Sequence, residues 1–403
     1  MNAPKATGPI PPEFAAGLPQ LGEWLARGTP LYVYDFAVVR ARVARLRAAL
    51  PEGVDIHYAI KANPFPPLLG AIALLVDGMD VASAGELEKV TAVMTSHSVS
   101  FAGPGKRDFE IEAGIRAGAT INLESEGEAG RALAIADRLG IVPRLAVRVN
   151  PDFELRGSGM RMGGRASPFG IDAERVPALV RRLIEAGADW RGFHIFAGSQ
   201  SLDSAAISES QAATIALAGR LAGEIEAEPP LVNLGGGFGI PYFAGDEPVN
   251  VEGIGRSLGQ QLARRAPILA NSRFAVELGR WLVGEAGIYL ARVTDRKDSG
   301  GETFLIVDGG LNHHLAATGN FGTVVRRNYP VALAHRIGEP AEETVSIVGP
   351  LCTPLDRLAD RVALPRAEVG DVIAIFASGA YGASASPMAF LGHGPAAELL
   401  ANS

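Results

Sequence analysis

The feature that most constrains this chain is a regular alternation of short β-branched or apolar runs with longer stretches of helical period. Eight runs are predicted as strands: Asp55–Ile60, Met79–Ser83, Val99–Ala102, Thr120–Leu123, Arg144–Val149, Arg191–Ala197, Leu231–Leu234 and Phe274–Glu277. Between them lie Pro67–Val76, Gly85–Thr95, Lys106–Ala117, Glu126–Leu139, Val176–Ala186, Ala205–Ala227 and Gly253–Leu269, with apolar residues at three- and four-residue spacing, as in helices with one buried face. Strand followed by helix, eight times over roughly 240 residues, predicts a parallel (β/α)8 barrel. An open doubly wound sheet is the competing arrangement.

From Ile288 the helical period gives way to β-rich runs, Ile288–Val293, Thr303–Asp308, Val345–Val348 and Val372–Ala377, separated by Gly, Pro and Asn turns. These predict a second, mostly antiparallel domain, with Pro30–Asp35 as a strand that can pair with it. The expected division is a barrel over 36–282 and a β-rich domain made of 1–35 plus 283–403.

Composition narrows the partners. The 403 residues are 47% hydrophobic and 20% charged, enough for one large core or two moderate ones. A net charge of −7 without a dense Lys/Arg run gives no electrostatic footprint for nucleic acid or an anionic membrane. The N-terminus lacks an apolar signal core, and no run of about 18 uncharged apolar residues offers a membrane span. A single cysteine, Cys352, precludes an internal disulfide framework. A cytoplasmic protein with a small zwitterionic or acidic ligand is the expectation.

In a barrel of this kind the loops after the strands carry function. Lys61 follows the first strand in His57-Tyr58-Ala59-Ile60-Lys61-Ala62-Asn63-Pro64. An amine at a strand end in an apolar setting is easier to deprotonate and can form a Schiff base with a carbonyl cofactor, although alone it also reads as a surface lysine. After the sixth strand come His194 and Ile195-Phe196-Ala197-Gly198-Ser199-Gln200. The imidazole could stack on an aromatic cofactor or be a satisfied core residue. After the seventh, Gly235-Gly236-Gly237-Phe238-Gly239 exposes backbone N–H groups as a phosphate cradle does, or simply makes a flexible turn. After the eighth, Glu277-Leu278-Gly279-Arg280 offers a carboxylate for a heterocyclic nitrogen and a guanidinium for a forked carboxylate pair, or a surface ion pair.

With these motifs at the ends of strands one, six, seven and eight, the chain resembles the fold-type III pyridoxal-phosphate decarboxylases. These are the diaminopimelate, ornithine and arginine decarboxylases, which share a barrel with alanine racemase. The resemblance runs through Tyr58–Asn63, Asp80–Leu87, His194–Gln200, Gly235–Gly239, Glu277–Arg280, Gly349-Pro350-Leu351-Cys352 with Asp356, and Gly379-Ala380-Tyr381-Gly382. It implies that Lys61 forms the internal aldimine with pyridoxal 5'-phosphate, that His194 stacks on the pyridine ring, and that Glu277 keeps the ring nitrogen protonated. It places the phosphate among Ser199, Gly235, Gly236, Gly237, Gly279, Arg280 and Tyr381, with Asp80 and Arg148 as further pocket residues. Cys352 becomes a proton donor reaching into a neighbouring subunit, and the chain a homodimer with shared active sites. Without the family, Cys352 reads as a small buried hydrophobe.

The match departs in places that bear on substrate. Diaminopimelate decarboxylases follow this cysteine with Glu-Ser and ornithine-type enzymes with Asp, whereas here Cys352-Thr353-Pro354 carries no acid. His194 stands two residues further from Gly-Ser-Gln than in the usual His-Ile-Gly-Ser-Gln. The loop Gly157–Gly164, the stretch Asp308–His314 and the tail Phe390–Pro395 also differ. These variants look more like a subgroup that includes a glutamyl decarboxylase acting on a carrier protein and exosortase-associated decarboxylases. The expected substrate is therefore an amino acid, free, conjugated or carrier-tethered, with Arg280, Arg326, Arg327, Thr353 and Asp356 as candidate contacts. Arg326 and Arg327 also read as solvated surface arginines. A diaminopimelate decarboxylase making L-lysine, a racemase of the same fold, and an inactive homologue acting as a binding protein are the alternatives. No metal site is expected, since His313 and His314 have no third ligand at suitable spacing.

Overall fold

The computed structural model describes residues 3–153, 160–161, 166–320 and 326–403. Apart from the backbone of Met160–Arg161, the variant loop Gly157–Gly164 lies outside the described residues. The chain divides into two compact units: Arg42–Gly239 with Val249–Gly279, and Met1–Ala41 with Ile240–Pro248 and Arg280–Ser403.

The first unit is a closed parallel barrel. Its strands are β1 Val54–Ala59, β2 Gly78–Val81, β3 Val99–Phe101, β4 Thr120–Leu123, β5 Arg144–Asn150, β6 Asp189–Ile195, β7 Leu231–Asn233 and β8 Arg273–Leu278. They pair in the order β4-β3-β2-β1-β8-β7-β6-β5, and β5 closes on β4. Every residue of β1 and β2 is buried, which is why these strands read as runs without alternation. Between β6 and β7 the backbones come so close that a Cβ on Gly192, at φ +102°, would stand 2.0 Å from the Leu231 carbonyl oxygen.

Helices follow seven of the strands, at Pro66–Ile72, Ala84–Thr91, Asp108–Ala117, Glu126–Leu139, Val176–Glu185, Ser204–Ile225 and Val251–Ala263. Ser83, Ser125, Asp203 and Asn250 cap four of them, each side chain accepting from a first-turn amide. The eightfold strand-then-helix reading needs one correction, because β8 is followed only by the single turn Arg280–Val283. The eighth long helix, Phe36–Ala49, precedes β1. Its Arg45 lies 2.7 Å from Glu252, and Gly255 approaches so closely that a Cβ there would stand 1.9 Å from the Ala49 carbonyl.

The second unit is built on a mostly antiparallel sheet. Its strands run in the order Val331–Leu333, Val372–Ile375, Gly287–Ser299, Glu302–Val307, Glu343–Val348, Arg357–Leu364. Leu31–Asp35 pairs antiparallel with Gly287–Ser299 and parallel with Ala397–Ala401. The segment Ile240–Pro248 belongs to this unit, with Tyr242 against Tyr329 at a ring-centroid distance of 4.7 Å. Among the described residues, no helix is long and apolar enough to cross a membrane, and no three His, Cys, Asp or Glu side chains are grouped to hold a metal.

Candidate active site

Lys61 sits in the 3-10 turn Ile60–Ala62 that follows β1 directly. The turn is pinned from both sides. Tyr58 donates its hydroxyl to the Asn63 carbonyl at 2.9 Å, and a Cβ on Gly279, at the end of β8, would stand 2.8 Å from the Ala62 Cβ. The lysine side chain is exposed, with Nζ 5.9 Å from the centroid of the Phe196 ring. Glu86, whose Oε2 accepts from the Ala82 amide at 2.7 Å, is close enough to feel its charge. Burial raises the Glu86 pKa more than the Ala82 amide and the ammonium groups of Lys61 and Lys89 lower it.

Glu277 lies deep in the barrel on β8, with Oε2 2.9 Å from His194 Nε2 on β6. Burial alone would raise its pKa. The hydrogen bond and charge of His194, joined by the charges of Lys61 and Arg148, reverse that and hold the carboxyl well below its ordinary range. Arg148 on β5 is itself buried, donating to Glu124 at 2.9 Å and lying 5.0 Å from the Phe169 ring. His194 is 3% exposed, its Nδ1 has no hydrogen-bond partner among the described residues, and it lines a cavity of about 120 Å³ with Asp55, Asn122 and Arg273. Asp55 and Arg273 stand at the strand starts, so this cavity lies at the barrel end opposite Lys61.

Asp80 on β2 is buried with neither carboxylate oxygen hydrogen-bonded, and Oδ2 lies 3.5 Å from Nδ1 of His57 on β1. At 3.5 Å this is a long charge contact. Burial opposes the imidazolium of His57, but Asp80, helped by Asp55 and Glu277, outweighs it and raises the pKa.

The glycine run after β7 is shaped by close contacts. Gly235 and Gly237 have φ of +66° and +84°, and a Cβ on Gly236 would stand 1.9 Å from the Glu277 carbonyl oxygen. The Gly235 amide donates to Asn233 Oδ1 at 2.9 Å, while its carbonyl accepts from Glu277 N at 2.8 Å. Ser199 pairs through its backbone with Met160. The structure thus gathers Lys61, Asp80, Arg148, Gly235–Gly237, Glu277 and Gly279 towards one end of the barrel.

In the second unit, Arg280 donates from Nη1 to the Tyr242 hydroxyl at 2.7 Å, and its guanidinium carbon lies 5.3 Å from the Tyr242 ring centroid and 4.7 Å from that of Tyr381. Its Nε is buried without a hydrogen-bond partner among the described residues. Cys352 is exposed, not buried as its residue type alone suggests. The Thr353 hydroxyl accepts from Leu355 N at 3.3 Å. Asp356, expected at the substrate, is 3% exposed, and its two oxygens accept from the amides of Leu311 at 2.6 Å and Leu351 at 2.8 Å, so it clamps two loops. Arg326 and Arg327 face different partners: Arg326 reaches towards the Leu355 carbonyl, whereas the Arg327 guanidinium carbon lies 3.9 Å from the Phe243 ring centroid. His314 is fully buried against Tyr32, Tyr289 and Tyr329, and burial pushes its pKa down to about 3.

Four residues of these clusters escape a reading by motif. Tyr242 carries no pattern in the sequence that points to Arg280, and His57 and Glu86 pass as neighbours within motifs chosen for Lys61 and Asp80. Phe196 left a signal in the offset between His194 and Gly198.

A profile of the pyridoxal-dependent decarboxylases, covering their pyridoxal binding domain, matches residues 36–284. Over 379 residues the chain is 34% identical to an L-glutamyl acyl-carrier-protein decarboxylase of Niallia circulans, covering 92% of this chain and 88% of the relative. It is 32% identical over 358 residues to diaminopimelate decarboxylase of Archaeoglobus fulgidus, covering 88% of this chain and 84% of the relative. Among solved structures, diaminopimelate decarboxylase of M. jannaschii with L-lysine superposes with a TM-score of 0.85 at 27% identity, covering 94% of this chain and 88% of that one.

Proposed function

Because the chain belongs to the pyridoxal-dependent decarboxylases, we propose that it removes the α-carboxylate of an amino acid carried in a conjugate, with a carrier-protein-linked glutamyl group as its substrate class. The observation that carries the substrate reading is the neighbourhood of Cys352. Thr353 takes the place of an acid there, and Asp356 spends both oxygens on backbone amides. That loop therefore offers no carboxylate to read a distal ammonium. The relative that is 34% identical acts on a glutamyl group held by a carrier.

The residues fit pyridoxal phosphate. A primary amine stands on a pinned turn at a strand end, a buried carboxylate is held ionised, and a glycine run at the end of the neighbouring strand has no room for side chains. Pyridoxal phosphate supplies an aldehyde that condenses with amines and a ring that accepts the electron pair of the breaking Cα–carboxylate bond. Lys61 is the amine that holds it. Glu277 would hold a proton on the ring nitrogen, with Arg148 helping to keep that carboxylate ionised and Asp80 a further pocket carboxylate beside His57. Ser199 and the Gly235–Gly237 run would hold the phosphate, with the Gly235 amide itself engaged by Asn233 Oδ1. In the second unit, Arg280 with Tyr381 and Tyr242 forms an anion-binding cluster. Cys352 would donate a new proton to Cα in place of the departing carboxylate, serving the site of a partner copy in a cytoplasmic homodimer.

The test incubates the holoenzyme with glutamyl-loaded carrier protein, free glutamate and diaminopimelate, reading amines by mass and carbon dioxide together. Carbon dioxide and amine in equal amounts from the carrier-linked substrate support the proposal. Rapid lysine release from diaminopimelate would assign the lysine pathway instead, and stereochemical inversion without carbon dioxide would make the chain a racemase. A purified protein with no visible cofactor band, unchanged in Lys61→Ala, would make it a binding protein.

A further inference from the structure

The residues after β6 assign the cofactor-stacking role differently from the motif taken at face value. Counted back from Gly198-Ser199-Gln200, the position that holds histidine in the usual His-Ile-Gly-Ser-Gln is Phe196, and His194 lies two residues earlier. The structure separates the two side chains. His194 is inside the strand, in register with Arg148 on β5 and Asn233 on β7, and spends Nε2 on Glu277. It lines the cavity at the far end of the barrel.

Phe196 stands just past the strand end, half-buried. Its ring centroid is 5.9 Å from Lys61 Nζ, and its Cδ2 is 3.0 Å from where a Cβ on Gly235 would be. The lysine turn, the glycine run and an aromatic face therefore meet at Phe196. An ammonium over a ring gains cation–π attraction, and a flat heterocycle tethered to that amine finds a π face beside it.

On the reading of Lys61 as the cofactor lysine, we propose that Phe196 is the aromatic side chain that stacks on the pyridine ring, and that His194 is a positioning residue that holds Glu277. Phenylalanine brings a face without a titrating proton, so the stack itself carries no pH dependence near neutrality.

The test uses purified holoenzyme and reads the pyridoxal-phosphate dissociation constant and the visible circular dichroism of the cofactor band. Phe196→Leu keeps an apolar side chain and removes the ring; it is expected to weaken cofactor retention roughly ten- to a hundredfold and to collapse the dichroic band. Phe196→Tyr restores both. His194→Gln keeps the dichroic band and instead shifts the pH titration of the visible absorbance, because Glu277 loses its imidazole partner. Retention and dichroism unchanged in Phe196→Leu but lost in His194→Gln overturn the assignment. Wild-type protein with no visible band at all overturns the cofactor reading beneath it, a separate outcome.

Discussion

His194 Nε2 and Glu277 Oε2 lie 2.9 Å apart inside the barrel, on β6 and β8, both more than nine-tenths buried. A buried carboxylate survives in its charged form only when paired, and this one is paired with an imidazole and faces the fields of Lys61 and Arg148.

Glu277→Gln should therefore cost turnover more than fold. If Glu277 is the ring-nitrogen partner as proposed, its loss is expected to lower kcat roughly 10²-fold or more, as for other preorganised charges. Because the folded pKa of Glu277 lies below its unfolded value of 4.5, the pair stabilises the protein above that pH. The contribution is lost as pH falls from there through the folded value. Acid unfolding monitored by circular dichroism should show this component in the wild type and lack it in Glu277→Gln.

Gly236→Ala should be far more damaging than its one added methyl suggests. The new Cβ would stand 1.9 Å from the Glu277 carbonyl and 2.8 Å from Leu278 Cδ2, so β7 and β8 must part. A loss of about 3 kcal/mol is expected from overpacking. Gly223→Ala, at an exposed helical position with nothing within 4 Å, should instead stabilise by roughly 0.5–1 kcal/mol. Opposite shifts in thermal midpoint from one chemical change would confirm that contact, not glycine content, decides.

Asp356→Ala separates a loop clamp from a substrate contact. It strips the acceptor from the amides of Leu311 and Leu351 at once, and roughly 2–4 kcal/mol of stability should go with it. A substrate role predicts instead a raised KM in a protein of unchanged thermal midpoint. Calorimetry with steady-state kinetics on the same preparation decides between them.

The barrel was legible because its strands are buried on both faces and its helices carry one apolar stripe, so the period changes sharply at each boundary. The eighth helix was not. Phe36–Ala49 precedes the first strand, and its arginine-rich sequence, with Arg40, Arg42, Arg45 and Arg47, hides the apolar face that Val38, Val39, Val43 and Leu46 bury. Lys61 and Glu277 were legible as residue types with a chemistry at strand ends. Asp356 was legible as a carboxylate but not as a clamp, since its partners are backbone amides from Leu311 and Leu351, distant in sequence or invisible to motif. Arg280 and Tyr242 meet only because the chain after the glycine run joins the second unit.

His57 gives the last prediction, since burial alone would lower its pKa and its acidic neighbours raise it instead. Asp80 Oδ2 is 3.5 Å from Nδ1, Asp55 precedes it on the same strand, and Glu277 is its register partner on β8. The ring has room only because Gly78 lacks a side chain: a Cβ there would stand 2.7 Å from Nε2. With a folded pKa raised above the unfolded 6.5, the stabilisation is fully present below 6.5 and disappears as pH rises through the folded value. Urea unfolding across pH 6 to 9 should thus show the wild type losing stability by an increment absent from His57→Gln. Asp80→Asn should flatten the same profile, because the charge that sustains the imidazolium is gone. If Asp80→Asn leaves the wild-type slope intact, His57 owes its raised pKa to another neighbour and the pair is incidental.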